Sequence, residues 1–344
     1  MTITPSIRCA PPGAARRTQP RAPVTLLTGD AVEVLRTVPD ATVDCVVTSP
    51  PYWRLRDYAT GAWTDGTPGC PHPAGAGTRR NGHRTCRRCG ATWHDAQVGR
   101  EATLNEYIDH LRQVFAELHR VLAPAGTAWL NLGDSYAANS DGYANTRPGQ
   151  YRQPAFRPRA GLPDKNLIGL PWRTALALQA DGWLIRNAVI WHKTNAAPFP
   201  VRDRLATRYE TVFLLAKQPG HYLDHTQPRQ PSTITAAGLP RNTDDRGDVW
   251  PVPVTPHRGQ HHPATSPLQI PLRCIQLGSP PGGLDCDPFS GTATTGLAAL
   301  GLGRAYLGID LNPSFTQLAA RRLTSFSPPH SSRPGQASAR GKTR

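Results

Sequence analysis

Long apolar runs are absent from the sequence. No segment of its 344 residues reaches the roughly 18 consecutive apolar residues of a membrane-spanning helix. Residues 1–23 carry arginine and proline but no apolar stretch of the kind found in secretion signals. We therefore expect a soluble, cytoplasmic protein that has no membrane partner.

Lysine is scarce as well, and Lys165, Lys193, Lys217 and Lys342 are its only occurrences. The 39 Lys+Arg against 24 Asp+Glu still give a formal net charge of +15, so the basic excess is almost entirely arginine. A charge of this size favours a polyanionic partner, and nucleic acid is the first candidate. A generally basic surface is the alternative interpretation.

A disulfide framework is not expected either. The seven cysteines are an odd number, and no secretion signal precedes them. Reduced thiols or a metal site are the remaining uses of these residues.

Four of the possible ligands cluster in one stretch of the chain. Cys86 and Cys89, followed by Gly90, have the spacing of a zinc knuckle, whose turn directs both sulfurs to one metal. Cys70 and His72 would complete a tetrahedral site. Two further histidines are alternative fourth ligands, His83 and His94. Free thiols or a redox pair are the alternatives to zinc.

Strand-like apolar runs alternate with segments of helical period between residues 23 and 324. The expected strands are 24–28, 43–48, 127–132, 184–192, 210–216, 283–286 and 305–309, and the main expected helices are 104–122, 170–180, 294–302 and 313–323. This alternation predicts an α/β fold. Residues 61–100, rich in Gly, Pro and Arg, interrupt it as an inserted loop module. Residues 1–22 and 325–344 are predicted to be disordered basic tails.

The string from Ser49 to Trp53, Ser-Pro-Pro-Tyr-Trp, follows an expected strand. Ligands of open parallel sheets bind at the carboxyl ends of the strands. Two consecutive prolines remove two backbone donors, which leaves the carbonyl oxygens of Ser49 and Pro50 available to another donor. A hydroxyl, exposed carbonyls and an aromatic face together suit a planar ring that carries an amino group.

A second motif runs from Asp287 to Gly296, where a strand leads into a loop of small residues and then a helix. Glycine and small hydroxyl residues allow a ligand to approach the backbone closely, and a helix N-terminus offers unpaired amides. The loop lacks both GxGxxG and Gly-Lys-Ser/Thr, which disfavours nicotinamide cofactors and ATP. Asp310 ends the next strand, the usual position of a carboxylate that binds ribose hydroxyls.

The two motifs together resemble those of the amino DNA methyltransferases, which transfer a methyl group from S-adenosylmethionine to exocyclic amines of adenine or cytosine. The catalytic motif precedes the cofactor motif, as in the permuted β group of bacterial and phage enzymes. The resemblance covers roughly residues 24–324, apart from the zinc-knuckle-like insert and a variable region. It implies a doubly wound, Rossmann-like sheet for residues 23–324.

The resemblance also implies roles for individual residues. Ser49, Pro50, Pro51 and Tyr52 would be catalytic, and Trp53 would stack on or support the base. The implied cofactor-binding residues are Asp30, Asp287, Pro288, Phe289, Ser290, Gly291, Thr292 and Asp310. The target base of a duplex must be flipped into a pocket before its amine can be methylated.

Ser49 bears on which amine is methylated. In the family a serine before Pro-Pro-Tyr is associated mostly with cytosine N4, and Asp or Asn there with adenine N6. We therefore expect N4-cytosine methylation, with N6-adenine as the alternative. Methylation at cytosine C5 would need a nucleophilic cysteine in a motif that is absent. A non-catalytic, zinc-containing DNA-binding protein on a methyltransferase scaffold is a more remote alternative.

Duplex DNA is the partner that this resemblance implies. Residues 218–256 occupy the place of the target-recognition region in the family, although composition does not specify which bases are read. A cognate restriction endonuclease and a second copy of the chain in a homodimer are two partners that the sequence leaves open.

Overall fold

The chain alternates between strands and helices through most of its described length. The computed structural model describes residues 22–58, 60–72, 85–137, 160–196, 203–224, 247–254 and 266–326. The strands are β1 (Val24–Thr28), β2 (Val43–Thr48), β3 (Ala62–Thr64), β4 (Thr92–His94), β5 (Leu122–Leu132), β6 (Leu184–His192), β7 (Tyr209–Ala216), β8 (Val249–Pro251), β9 (Leu284–Asp287) and β10 (Ala305–Asp310). The helices are α1 (Ala31–Leu35), α2 (Leu104–Val121), α3 (Leu170–Ala180), α4 (Gln269–Gly278), α5 (Thr294–Gly301) and α6 (Pro313–Thr324).

Eight of these strands form one sheet, in the order β1-β10-β9-β2-β5-β7-β6-β8. The neighbours from β1 to β5 are all parallel, whereas β7 runs antiparallel to both β5 and β6. The central strands are nearly continuous apolar runs, as expected of strands that are covered on both faces. The predicted α/β fold is confirmed.

Helices cover both faces of the sheet. Helices α1, α2 and α3 pack on one face, where Leu35, Phe115 and Leu178 belong to one buried cluster. Helices α4, α5 and α6 pack on the other, where Ile275 and Ala299 belong to a second cluster. This three-layer arrangement is the doubly wound architecture that the resemblance implied.

The longest helix, α2, shows how the sequence specifies an element. Thr103 accepts a hydrogen bond from the Glu106 amide, and the Glu106 side chain accepts one from the Thr103 amide. This capping box satisfies two amides that the first turn would otherwise leave unpaired. The apolar stripe through Leu111, Phe115 and Leu118 is fully buried, and burying each such side chain stabilises the fold by about 1.5–3 kcal/mol.

Three regions differ from the sequence-based expectation. The insert 61–100 contains a two-stranded antiparallel sheet of β3 and β4 instead of loop alone. Pro124 lies within β5, where the pairing with β2 is irregular, because proline cannot donate to a ladder. Strand β8 lies inside the region 218–256 and extends the large sheet beside β6.

Some expectations fall outside the described residues. These are nearly all of both predicted tails, the centre of the insert at 73–84, and residues 225–246 and 255–256 of the region 218–256. No helix in the described part of the chain is long and apolar enough to cross a membrane.

Candidate active site

The carboxyl ends of β2 and β9 lie side by side in the middle of the sheet. After β9 the chain continues to β10, toward the β1 edge of the large sheet. After β2, the next strand of that sheet is β5, which lies toward the opposite edge. This reversal of winding direction is a topological switch point, where open α/β sheets bind their ligands. The loop from Ser49 to Tyr52 follows β2, and the loop from Asp287 to Thr292 follows β9, so the fold brings the two motifs together.

A buried carboxylate connects the two loops. Thr48 Oγ1 donates to Asp287 Oδ1 at 2.8 Å, and Thr295 Oγ1 donates to Asp287 Oδ2 at 2.8 Å. The Phe289 amide donates to Oδ1 at 3.1 Å. Burial raises the pKa of Asp287 to about 6, although these three donors act in the opposite direction. The carboxylate therefore orders the loop and the end of β2 at once.

A second carboxylate closes the same loop from the next strand. Asp310 accepts from the Gly291 amide at 2.8 Å and from the Asn312 amide at 2.8 Å. Burial raises its pKa to about 6 as well. Each carboxylate oxygen can accept more than one hydrogen bond, so Asp310 retains acceptor capacity for a ligand in the adjacent cavity.

Arg322 is a functional candidate that sequence analysis missed. Its Nη1 donates to the Thr292 carbonyl and hydroxyl, both at 2.9 Å, and to the Thr294 hydroxyl at 3.2 Å. Burial lowers the pKa of this guanidinium. No sequence signal marks it, because a lone arginine near the end of a helix is typically a solvated residue.

The loop from Ser49 to Tyr52 is held from behind by the protein. The Tyr107 hydroxyl of α2 donates to the Pro51 carbonyl at 3.0 Å. Gly99 packs so closely that a Cβ there would lie 3.1 Å from the Pro51 oxygen. Trp53 is 2% exposed, lies outside the cavity lining, and donates to the Glu101 carbonyl at 3.1 Å. Its position suits support of the loop and not direct stacking on a ligand.

Tyr52 takes part in a polar cluster that sequence analysis also missed. Its hydroxyl donates to Glu210 Oε2 at 2.7 Å, and Lys193 Nζ contacts Glu210 Oε1 at 2.5 Å. Asn131 Nδ2 donates to Glu210 Oε2 at 3.0 Å. Burial and the neighbouring Glu210 raise the pKa of the Tyr52 hydroxyl well above its usual value, so it remains a hydrogen-bond donor.

Both loops line one cavity of about 600 Å³, within the range of small-molecule sites. The predicted residues on its wall are Asp30, Ser49, Pro50, Pro51, Tyr52, Asp287, Pro288, Phe289, Ser290, Gly291, Thr292 and Asp310. Asp30 is also the N-cap of α1, since Oδ1 accepts from the amides of Val32 and Glu33. Glu210 and Lys193 line the same cavity.

The insert brings its four predicted ligands together. The ligand atoms of Cys70, His72, Cys86 and Cys89 all lie within 4.8 Å of one another. Cys70 and Cys86 sulfurs are 3.9 Å apart, and His72 Nε2 is 3.1 Å from the Cys89 sulfur. Zn–S bonds of about 2.3 Å and Zn–N bonds of about 2.0 Å imply tetrahedral ligand separations of roughly 3.5–3.8 Å. The His72–Cys89 separation is shorter than these values and the Cys70–Cys86 separation is slightly longer, and the set of three sulfurs and one imidazole nitrogen is one that zinc binds.

Known DNA methyltransferases match most of the chain in sequence. A family model described as DNA methylase matches residues 43–321. The chain is 37% identical over 327 residues to the Type II methyltransferase M.XycI of Xanthomonas campestris pv. cyanopsidis, which covers 93% of this chain and 95% of that protein. It is 37% identical over 302 residues to M.Cfr9I of Citrobacter freundii, which covers 87% of each chain.

Solved structures share the fold. A putative DNA modification methylase from Thermus thermophilus, complexed with S-adenosyl-L-methionine, matches with a TM-score of 0.53 at 24% identity, over 88% of this chain and 93% of that one. The PvuII DNA methyltransferase, described as cytosine-N4-specific, matches with a TM-score of 0.55 at 17% identity over 89% of each chain.

The Asp287 connection predicts a pH-dependent effect of Thr48→Val. The raised pKa means that ionisation of Asp287 costs stability as the pH rises through about 6. Thr48 partly offsets that cost, and a hydrogen bond to a charged group contributes about 1.5–3 kcal/mol. Urea denaturation at pH 8 should show a free energy of unfolding that is lower in Thr48→Val than in the wild type by this amount. The difference should be smaller at pH 5, where Asp287 is protonated. Thr25→Val, at an exposed position on β1, is the matched control. Equal losses of unfolding free energy at the two pH values in Thr48→Val would contradict the role of the Thr48–Asp287 hydrogen bond.

Proposed function

The chain belongs to the DNA methylase family, and we propose that it transfers the methyl group of S-adenosyl-L-methionine to the exocyclic N4 of cytosine in duplex DNA. The observation that carries the proposal is the meeting of the Ser49 to Tyr52 loop and the Asp287 to Thr292 loop on one cavity at the switch point. A methyl donor beside the loop after β9 and an amine beside the loop after β2 would then face each other where the ends of the two strands meet.

The cofactor would occupy the side of the cavity near β9 and β10. When bound, S-adenosyl-L-methionine supplies a methyl group on a positively charged sulfur. The Asp310 carboxylate would accept hydrogen bonds from ribose hydroxyls, and Gly291 would allow close approach to the backbone. Arg322 and Asp287 would act as positioning residues, because each holds the loop through several hydrogen bonds. A neighbour of the same fold was solved with this cofactor.

The amine would be activated by hydrogen bonds on the β2 side. The lone pair of an exocyclic amine is delocalised into the ring, which makes the nitrogen a poor nucleophile. Acceptance of its two N–H bonds by the Ser49 hydroxyl and the Pro50 carbonyl favours a tetrahedral nitrogen whose lone pair faces the methyl group. The N–C bond forms as the S–C bond breaks, and the amine then releases one proton to water. Positioning and electrostatics supply the catalysis, without a covalent enzyme intermediate.

Cytosine N4 is favoured over adenine N6 by Ser49. A neutral serine at this place is associated in the family mostly with cytosine, and adenine N6 remains the second candidate because both amines offer the same two donors. Tyr52 would stack on the flipped ring. A non-catalytic role is disfavoured because both loops are complete and converge on one cavity.

The net charge of +15 supports a DNA substrate, since arginines that contact phosphates attract duplex DNA in a salt-dependent manner.

Residues 218–256 would contain the target-recognition region within a single domain of residues 23–324. Relatives such as M.XycI are named Type II methyltransferases, which supports a cognate restriction endonuclease as a partner and a cytoplasmic location in a bacterium or phage-infected cell.

Mass spectrometry of nucleosides tests the reaction. DNA incubated with the protein and S-adenosyl-L-methionine carrying a deuterated methyl group should yield labelled N4-methylcytosine. Tyr52→Ala should reduce transfer by about 100-fold or more, as expected when a positioning contact is lost, with cofactor affinity unchanged. Asp310→Ala should mainly weaken cofactor binding, because that carboxylate contacts the loop after β9, where the cofactor would bind.

Asn187→Ala, at an exposed position on β6, is the control for both variants. Labelled N6-methyladenine would show that adenine N6 is methylated instead of cytosine N4. An absence of any labelled nucleoside would overturn the proposal. Full activity of Tyr52→Ala would contradict the stacking role.

Zinc is the second ligand that we propose, held by Cys70, His72, Cys86 and Cys89. A closed four-ligand site is structural, and the small sheet of β3 and β4 has little apolar material besides the contact of Trp63 with Trp93 and His72. The Cys86 amide bonds to the Ala91 carbonyl at 2.7 Å and the Gly90 amide to the Cys86 carbonyl at 2.9 Å, which forms the tight turn of a knuckle.

Metal analysis tests the zinc site. Protein purified without chelators should contain about one zinc per chain by plasma mass spectrometry, and Cys89→Ser should lose it and unfold at a lower temperature. Cys274→Ser, at a buried free cysteine of α4 that is not one of the four, should keep the metal. Wild-type protein without stoichiometric zinc, even after reconstitution with the metal, would overturn this assignment.

A further inference from the structure

Tyr52 is held by two kinds of contact, one at its hydroxyl and one along an edge of its ring. The hydroxyl donates to Glu210 Oε2 at 2.7 Å and accepts from Asn131 Nδ2 at 3.3 Å. Because this oxygen lies on the long axis of the side chain, these bonds fix the direction of the axis and leave the ring free to rotate about it. A second contact is therefore needed to set the plane of the ring.

Gly133, which directly follows β5, makes room for one orientation of that ring. A Cβ at this position would lie 2.7 Å from Tyr52 Cε2 and 3.3 Å from Cδ2, two neighbouring atoms along one edge of the ring. Carbon atoms pack at about 3.5–4.0 Å, so any side chain at position 133 would force the ring to turn or to shift. The glycine thus permits the ring to direct this edge at the backbone while Tyr52 lines the cavity.

Glu210 is itself fixed at both of its carboxylate oxygens. Oε2 accepts from Tyr52 and Asn131, and Oε1 pairs with Lys193 Nζ at 2.5 Å. Strands β6 and β7 bring the two charged groups together, because Glu210 lies opposite Trp191 in the register and Lys193 follows two residues later. A carboxylate with donors on both oxygens has one preferred orientation. The Tyr52 hydroxyl therefore meets an acceptor whose position is already set.

Fold stability alone does not account for this ion pair. The side chains of Lys193 and Glu210 are only 23% and 13% exposed. Replacement of a largely buried ion pair by apolar side chains is often neutral or stabilising. What the pair does supply is a fixed geometry around Tyr52, and all three residues line the cavity. The purpose of that geometry is therefore to be sought in the cavity.

We propose that Glu210 and Gly133 are positioning residues that fix the Tyr52 ring before DNA binds, so that a flipped base meets a preformed stacking surface. This role rests on the proposed stacking of a flipped base on Tyr52. Lys193 contributes by holding the second oxygen of Glu210. A ring that is ordered in advance loses little further freedom when the base arrives, and the stacked base then directs its amine at the methyl donor.

Three variants disturb Tyr52 in different ways. Gly133→Ala keeps every polar group of the cluster but forces the ring to move. Tyr52→Phe removes only the hydroxyl, and Glu210→Ala removes the acceptor of that hydroxyl. Gly301→Ala, at the end of α5, is the matched control for the glycine substitution, because a Cβ there would lie at an ordinary distance of 3.6 Å from Phe326.

Stacking is measured without turnover by 2-aminopurine, a fluorescent base whose emission is quenched when an aromatic ring stacks on it. It replaces the target base in a duplex whose site has been mapped in DNA methylated by the protein. The non-reactive cofactor analogue sinefungin is present at saturation, and Tyr52→Ala gives the reference for a flipped but unstacked base. Fluorescence of the bound duplex should rise toward this reference in Gly133→Ala, Tyr52→Phe and Glu210→Ala. Gly301→Ala should match the wild type.

The single-turnover methylation rate gives a second readout. At saturating DNA and cofactor it should fall about 10-fold in Tyr52→Phe and about 100-fold in Gly133→Ala, as expected when a positioning contact is lost or displaced by roughly 1 Å. Affinity for sinefungin should be unchanged, which a general loss of stability would not produce. The double variant Tyr52→Phe/Glu210→Ala should be no slower than the slower single variant, because both substitutions remove the same hydrogen bond.

Wild-type fluorescence and rate in folded Gly133→Ala and Tyr52→Phe would overturn the positioning role. If the wild-type protein methylates an exocyclic amine, that result leaves the proposed function in place. Equal fluorescence of wild type and Tyr52→Ala would show that Tyr52 does not stack on the base, and the positioning role would fail with the stacking role. A wild-type protein that forms no methylated amine would refute the proposed function itself.

Discussion

The hydrogen bond from Thr48 to Asp287 is the contact on which the arrangement of the active site depends. It joins the end of β2 to the end of β9, the two strands from which the chain winds in opposite directions. The Asp287 carboxylate also accepts from Thr295 and from the Phe289 amide, so one buried group organises the end of β2, the loop after β9 and the start of α5. Its raised pKa reflects the burial that this junction requires.

The junction divides the cavity into two chemically different halves. On the β9 side, carboxylates and the Arg322 guanidinium bind the backbone and hydroxyls of a small-residue loop, an arrangement suited to holding a nucleoside. On the β2 side, Tyr52, Asn131, Glu210 and Lys193 form a hydrogen-bonded cluster next to Ser49. A transfer reaction between a cofactor and a planar base needs this division, because the two ligands must meet at one point without competing for the same contacts.

How far the sequence could predict the site follows from strand direction. The residues of the two motifs follow parallel strands, and a search at the carboxyl ends of apolar runs finds them. Glu210 stands at the beginning of β7, and it reaches the same edge of the sheet only because β7 runs antiparallel to β5. The sequence carries no signal of that reversal. Arg322 approaches from a helix that is distant in the chain, and its contact with Thr292 depends on packing that periodicity does not specify.

The fold itself was predictable to the extent that patterns are local. The apolar runs and the capping box of α2 specify their elements, and the structure confirms them. The small sheet of the insert was not predictable, because β3 and β4 are three residues long and mostly exposed. Its four candidate ligands were predicted from their spacing alone, and the structure brings their ligand atoms within 4.8 Å of one another.

The most direct test of the account is a crystal structure of the protein with sinefungin and duplex DNA containing the methylated site. We expect the target cytosine outside the helix, with its N4 within about 3 Å of Ser49 Oγ and the Pro50 carbonyl. The analogue should lie between Asp310 and the loop after β9. A cytosine that remains stacked in the duplex, or an analogue bound away from the junction of β2 and β9, would contradict the account.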